Sequence, residues 1–127
     1  MININLNQVN MSRAECRTEE AKRFIETHIK IPGPPEIAEQ LGIPYETLRK
    51  DFRRVEGVTL GAFITRKKVE YMKHLLEKTD LRCFEISDRV GFSREEVCMR
   101  VFKKHTGMTM LAYRRQHSCW REDEIPQ

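Results

Sequence analysis

The chain carries one pattern twice, about fifty residues apart. The first copy reads EIAEQLGIPYETLRKDFRRVEGVTLGAF from Glu36 to Phe63, and the second reads EISDRVGFSREEVCMRVFKKHTGMTMLAY from Glu85 to Tyr113. Glu36, Ile37 and Gly42 match Glu85, Ile86 and Gly91. After one extra residue in the second copy, Glu46, Phe52, Gly57, Thr59 and Ala62 match Glu96, Phe102, Gly107, Thr109 and Ala112. Such a repeat constrains the fold strongly, because each copy is one supersecondary unit and the structure formed by the first must be formed by the second too.

Breakers and apolar spacing divide each copy into a short helix, a turn and a longer helix. Upstream, Ser12 and Glu15 form a possible capping box, with Thr18 as a later start. From there a helix is predicted to about Ile29, burying Phe24, Ile25, His28 and Ile29. Pro32, Gly33, Pro34 and Pro35 end it. A short helix comes next from Pro35 to Leu41, and Gly42 supplies the left-handed turn residue after it. Pro44 opens a helix to about Val55 with Leu48, Phe52 and Val55 inward. Thr59 caps a longer helix from Leu60 to about Glu77, with Phe63, Ile64, Val69, Met72, Leu75 and Leu76 on its buried side. Phe84–Val90 and Arg94–His105 repeat the short-then-long pair, and a last helix runs from Thr109 to about His117.

No segment of this folded part reads as strand, so the expected class is all-α. Ile2, Ile4 and Leu6 alternate with Asn in a strand-like manner. No partner strand is in view, and residues 1–17 are expected to be a tail or linker remnant. The expected division is 18–58 for a first subdomain, 59–78 for a linker helix, 79–117 for a second subdomain and 118–127 for a loose end.

This spacing meets the needs of a helix-turn-helix. The first helix needs a small residue where the second packs close, and Ala38 and Ser87 provide it. The turn needs a residue tolerant of positive φ, and Gly42 and Gly91 provide it. The second helix needs an apolar inner face, supplied by Leu48 and Phe52, then by Val97, Val101 and Phe102. Its outer face should carry phosphate ligands and base readers. In the first copy that face holds Glu46, Thr47, Arg49, Lys50, Arg53 and Arg54. In the second it holds Arg94, Glu95, Glu96, Met99, Arg100, Lys103 and Lys104.

Basic pairs close both second helices, Arg53-Arg54 and Lys103-Lys104. One such pair alone reads equally as cations favoured by a helix C-terminus, and recurrence at equivalent positions favours phosphate contact. Arg66, Lys67 and Lys68 form a further basic patch that reads as phosphate ligands or as a solvated surface. The helix from Leu60 to Glu77 would span roughly 27 Å at ~1.5 Å per residue. Successive major grooves lie ~34 Å apart, so two reading heads nearly one turn apart are expected, with some bending of the duplex.

Composition supports this only weakly. The 127 residues include 23 Lys+Arg against 19 Asp+Glu, a formal charge of +4, which is compatible with a polyanion but common without one. Cys16, Cys83, Cys98 and Cys119 form no C-x-x-C pair, and no His cluster completes a metal spacing, so reduced thiols and no metal are expected. No secretory signal and no apolar run of bilayer length occurs, and a cytoplasmic location is expected. Nothing suggests a cofactor or a catalytic centre. Cys119 beside His117 is a weak nucleophile-base pair, and Cys16 lacks the ligands of a zinc-activated thiolate. Phe52, Phe92 and Phe102 read as core by spacing.

From about Thr18 to Arg115 the residues resemble the AraC/XylS family of bacterial transcription regulators. The fullest stretch is EISDRVGFSREEVCMRVFKKHTGMTMLAYRR, with its small residue, G-F, a helix ending R-x-F-K-K, then G-x-T and a Y-R-R close. The resemblance implies seven helices in two helix-turn-helix (homeodomain-like) subdomains joined by one helix. It also implies asymmetric promoter sites and regulation through RNA polymerase. Carried over by position, base contact falls to Glu46, Arg49 and Lys50, and to Glu95, Glu96, Met99 and Arg100. Phosphate contact falls to Arg53, Arg54, Lys103, Lys104, Thr59 and Thr109. Arg49 or Arg100 would bond guanine and Glu46 or Glu96 a cytosine amino group, while Glu95 and Glu96 also suit a first helical turn. The chain departs from the family at Pro34, at the Glu95-Glu96 pair, and at Asp51, for which Arg54 or Lys50 is the expected partner.

Full-length members commonly add an effector or dimerisation domain. This chain is expected to be a short regulator or an excised DNA-binding region, monomeric on DNA unless a missing domain dimerises it, with no small-molecule site of its own. The alternative reading is a protein-interaction module that keeps the fold without reading DNA.

Overall fold

The computed structural model describes residues 12–28 and 30–118. The alternating segment at Ile2, Ile4 and Leu6 lies outside the described residues, as do Ile29, Cys119 and Trp120. Among the described residues every regular element is helical: α1 (Arg13–Thr27), α2 (Pro34–Leu41), α3 (Tyr45–Glu56), α4 (Leu60–Lys78), α5 (Cys83–Val90), α6 (Glu95–Thr106) and α7 (Met110–His117).

The chain forms two compact units, and their division falls inside α4, between Ile64 and Thr65. In the first unit, the Ser12 hydroxyl accepts from the Glu15 amide at 3.2 Å and caps α1. The buried stripe of α1 is Ala14, Thr18, Ala21 and Ile25. The expected face of Phe24, Ile25, His28 and Ile29 is therefore displaced: Phe24 is half-buried, His28 is exposed, and their rings stack at 3.7 Å. Small side chains line this stripe because α1 packs closely along α3.

Pro34 enters α2 at its first position, where a missing N–H costs nothing. The Glu36 carboxylate turns back to the Gly33 amide at 3.4 Å. Ile37, Ala38, Leu48, Phe52 and Phe63 close the core, with Phe52 and Phe63 meeting edge to face at 5.2 Å. Val55, expected inward, is 38% exposed; the inward stripe of α3 ends at Phe52, and Val55 falls at its margin.

The second unit repeats this plan. The Glu85 carboxylate accepts from the Arg82 amide at 3.1 Å, as Glu36 does in the first. The core gathers Val69, Met72, Leu75 and Leu76 from α4, Cys83, Ile86 and Val90 from α5, Cys98 and Phe102 from α6, and Met110 and Tyr113 from α7. Val97 and Val101, expected on the inner face, are only half-buried. The position in register with Leu48 is Cys98, which is fully buried with its thiol 3.2 Å from the Met72 sulfur. Phe92 is likewise half-buried rather than core, and the Lys68 ammonium stands 4.7 Å from its ring centre.

Cys83 and Cys98 are free thiols, and burial pushes both upward, Cys98 to about 11. No described helix is long and apolar enough to cross a membrane.

Candidate nucleic-acid interface

Each reading helix is set by a turn that only glycine enters easily. Gly42 (φ 68°) and Gly91 (φ 100°) end α2 and α5 in the left-handed region. At Gly91 space is closed as well, since a Cβ there would lie 2.8 Å from the Ile31 carbonyl oxygen. The small residues predicted beneath the turn, Ala38 and Ser87, are buried. They let α3 and α6 approach, and the outer faces of α3 and α6 are left to solvent.

On α3, Glu46, Arg49, Lys50, Arg53 and Arg54 are exposed, and Thr47 is half-buried. Arg49 Nη2 donates to Glu46 Oε2 at 2.9 Å. That bond and the guanidinium charge hold the Glu46 carboxyl below the ordinary carboxylate range and raise Arg49. Arg54 turns toward α1: its Nη2 lies 3.7 Å from Asp51 Oδ1, and it lines a shallow depression with Ser12, Glu15 and Glu19.

Asp51 has a partner nearer than those expected. Arg17 of α1 reaches Asp51 Oδ2 with Nε at 2.7 Å and Nη2 at 2.6 Å. Lys22, raised chiefly by its bond to Glu56 at 2.9 Å, makes a second tie between α1 and α3. The α1 helix therefore fixes α3 from behind through charge, and sequence spacing alone could not pair residues more than thirty positions apart.

Arg94 at the N-cap of α6, and Glu95, Glu96, Met99, Arg100, Lys103 and Lys104 on it, are all exposed. Lys50, Arg53, Arg100, Lys103 and Lys104 are held by no ion pair among the described residues. Met99, Arg100, Lys103 and Lys104 line a mainly apolar depression that ends at Thr109 and Met110. The Thr59 and Thr109 hydroxyls accept from the Ala62 and Ala112 amides at 3.0 and 3.1 Å and so cap α4 and α7. Among the described residues no group of three or more His, Cys, Asp or Glu could hold a metal ion.

One residue within the Y-R-R close proves central to the framework, and the sequence signals nothing of its role. Arg114 is fully buried and donates to the carbonyl oxygens of Leu76 (3.1 Å), Leu75 (3.5 Å) and Thr79 (3.0 Å). It caps the C-terminus of α4, where the helix dipole favours a cation. Tyr113 beside it donates to Glu77 at 2.8 Å.

Two helix-turn-helix units, each with an outward cationic helix, define the class of a DNA-binding domain with two reading heads. The chain belongs to the AraC-type helix-turn-helix family of transcription-regulator domains, whose helix-turn-helix domain model matches residues 37–116. This is not an enzyme class.

Among curated relatives, the probable transcription factor PqrA of Proteus vulgaris is 28% identical over 78 residues, 61% of this chain and 64% of the relative. Others are matched over only 25–29% of their length. The C-terminal domain of AraT, a response regulator from Geobacillus stearothermophilus, superposes with a TM-score of 0.78 at 25% identity, covering 87% of this chain and 93% of that one. The DNA-binding domain of AdpA, solved with a target DNA, shares the fold with a TM-score of 0.71 at 21% identity, over 79% of this chain and 91% of that one.

Proposed function

We propose that this chain binds double-stranded DNA sequence-specifically and regulates transcription, with α3 and α6 in successive major grooves of one promoter site. The observation that carries this reading is the recurrence, at equivalent positions of both units, of exposed cations on α3 and α6: Lys50 and Arg100, Arg53 and Lys103, Arg54 and Lys104. In it, Glu46, Arg49 and Lys50 meet bases through the first head, and Glu95, Glu96, Met99 and Arg100 through the second. Arg53, Arg54, Lys103 and Lys104 meet phosphates, joined by Thr59 and Thr109 at the N-termini of α4 and α7.

Because Arg49 is replaced by Met99 in the second head, the two blocks of the site differ, and the site is asymmetric. The protein acts in the cytoplasm at the nucleoid, binds as a monomer, contacts RNA polymerase and catalyses no reaction. The names of PqrA and AraT, a transcription factor and a response regulator, support regulation as the role.

Selection from a random duplex library, followed by anisotropy on the selected site across a salt series, tests this. The expected result is an asymmetric site with two blocks about one helical turn apart. Affinity should fall with a log–log slope of about −0.9 per neutralised phosphate. Failure of the folded protein to enrich any duplex would refute the reading, and a single block would confine it to one head.

A further inference from the structure

Among the residues that recur between the two copies, Glu46 and Glu96 stand apart. Glu36 and Glu85 return to amides at helix starts. Gly42, Gly57, Gly91 and Gly107 turn the chain at positive φ. Phe52 and Phe102 are core, and Thr59 and Thr109 are caps. Glu46 and Glu96 serve neither core nor cap and are exposed on the reading helices. The Glu46 side chain, 66% exposed, grips Arg49 Nη2 at 2.9 Å. In the second copy Met99 takes the register of Arg49, and Glu96 has no ion pair among the described residues. The bridge is thus a property of the first head.

We infer that Glu46 is a specificity determinant that works by exclusion, selecting a cytosine at the position it faces in the major groove and withholding Arg49 from duplexes that present an acceptor there. The inference rests on reading α3 as a recognition helix. An ionised carboxylate is an acceptor only, and Arg49 and Lys50 keep Glu46 ionised. In the major groove guanine offers N7 and O6 and thymine offers O4, all acceptors that repel it. Cytosine offers an amino donor alone, and adenine offers one beside an acceptor.

On a matched duplex the carboxylate passes from Arg49 to the cytosine N4 amino group, and Arg49 is released to the O6 and N7 of a guanine. On other duplexes the bridge stays closed. The arginine then bonds its own helix, and the carboxylate faces phosphates that repel it.

The test compares wild type, Glu46→Ala, Glu46→Gln and Lys103→Ala by anisotropy. The duplexes are the selected site, the same site substituted at each pair of its first block, and an unrelated sequence. Glu46→Ala is expected to bind the unrelated duplex on the order of tenfold tighter, and to lose on the order of tenfold preference at one base pair of the first block while keeping the rest. Glu46→Gln, which keeps the side-chain shape, should relax the same pair. Lys103→Ala should weaken all duplexes alike and leave every preference intact.

Unchanged preference at every pair in both Glu46 variants, with wild type still selecting its first block, would overturn the inference and leave DNA reading standing. No preference in the wild type at any pair of that block would overturn both. Circular dichroism of each variant confirms that the fold is retained.

Discussion

Arg114 and Tyr113 show how much one pair of neighbouring side chains can fix. Arg114 satisfies carbonyl groups that the end of α4 leaves without helical partners. Arg114→Met keeps much of the volume but strands those carbonyls in the core. Since bonds to charged groups are worth ~1.5–3 kcal/mol each, the variant should lose about 3 kcal/mol in urea unfolding. A loss under about 1 kcal/mol would mean that water replaces the guanidinium there.

Tyr113 makes a pH-dependent contribution. Burial, then the bond to Glu77, pushes its phenol up to about 12. A phenol in the unfolded chain titrates near 10. The folded state therefore holds this proton more tightly, so the contribution is complete below about pH 10 and is lost as pH rises through about 12. Wild type and Tyr113→Phe should differ in the slope of stability against pH across that window and run parallel below it. Ultraviolet titration should show a late-ionising phenol in wild type that is missing from Tyr113→Phe.

At the scale of the element, glycines separate what local chemistry dictates from what packing dictates. Gly61 lies in the first turn of α4 with nothing within 4 Å of an added Cβ, whereas Gly91 has a positive φ and a carbonyl at 2.8 Å. Gly61→Ala should stabilise by about 0.8 kcal/mol through helix propensity and reduced unfolded-state entropy. Gly91→Ala should destabilise by more than that, and thermal melts of the two variants decide it. Equal effects would mean that the turn relaxes freely.

The same distinction separates the legible parts of the sequence from the illegible ones. Most helix limits can be read to within a residue or two because prolines, glycines and capping threonines act locally; the start of α1 is the exception, since residues 13–17, expected in the tail, are helical behind the Ser12 cap. Ala38, Ser87, Gly42 and Gly91 are readable because the motif has one place for each. The faces are less legible. Val55, Val97 and Val101 are apolar enough to suggest core, yet Cys98 takes the inward position, and only its register with Leu48 could reveal it. The α1 stripe of Ala14, Thr18 and Ala21 carries little hydrophobic signal, because close packing along α3 selects for small size. The pairing of Arg17 with Asp51 and the burial of Arg114 are tertiary, and no local pattern encodes them. Among the outward residues, the sequence identifies the set, and the structure adds that Arg49 begins in the hold of Glu46 while Arg54 turns toward Asp51.

For the whole molecule the governing feature is that α4 is one uninterrupted helix, Leu60–Lys78, whose first turn belongs to the first core and whose remainder belongs to the second. A helix transmits phase, since each added residue rotates the downstream chain by ~100° and advances it by ~1.5 Å. If both heads read one duplex, a single alanine inserted between Thr65 and Arg66 should move the second head out of phase with its block. Affinity for the two-block site should then fall to that for a duplex bearing one block, while single-block binding stays at the wild-type level. Four inserted alanines make about one full turn, which restores phase and adds ~6 Å. That variant should bind the two-block site more tightly than the single insertion does, because the second head is again near its original phase. Helical content should be unchanged in both insertions. Wild-type affinity in the single insertion would mean that α4 does not set the spacing, and that each head finds its block independently.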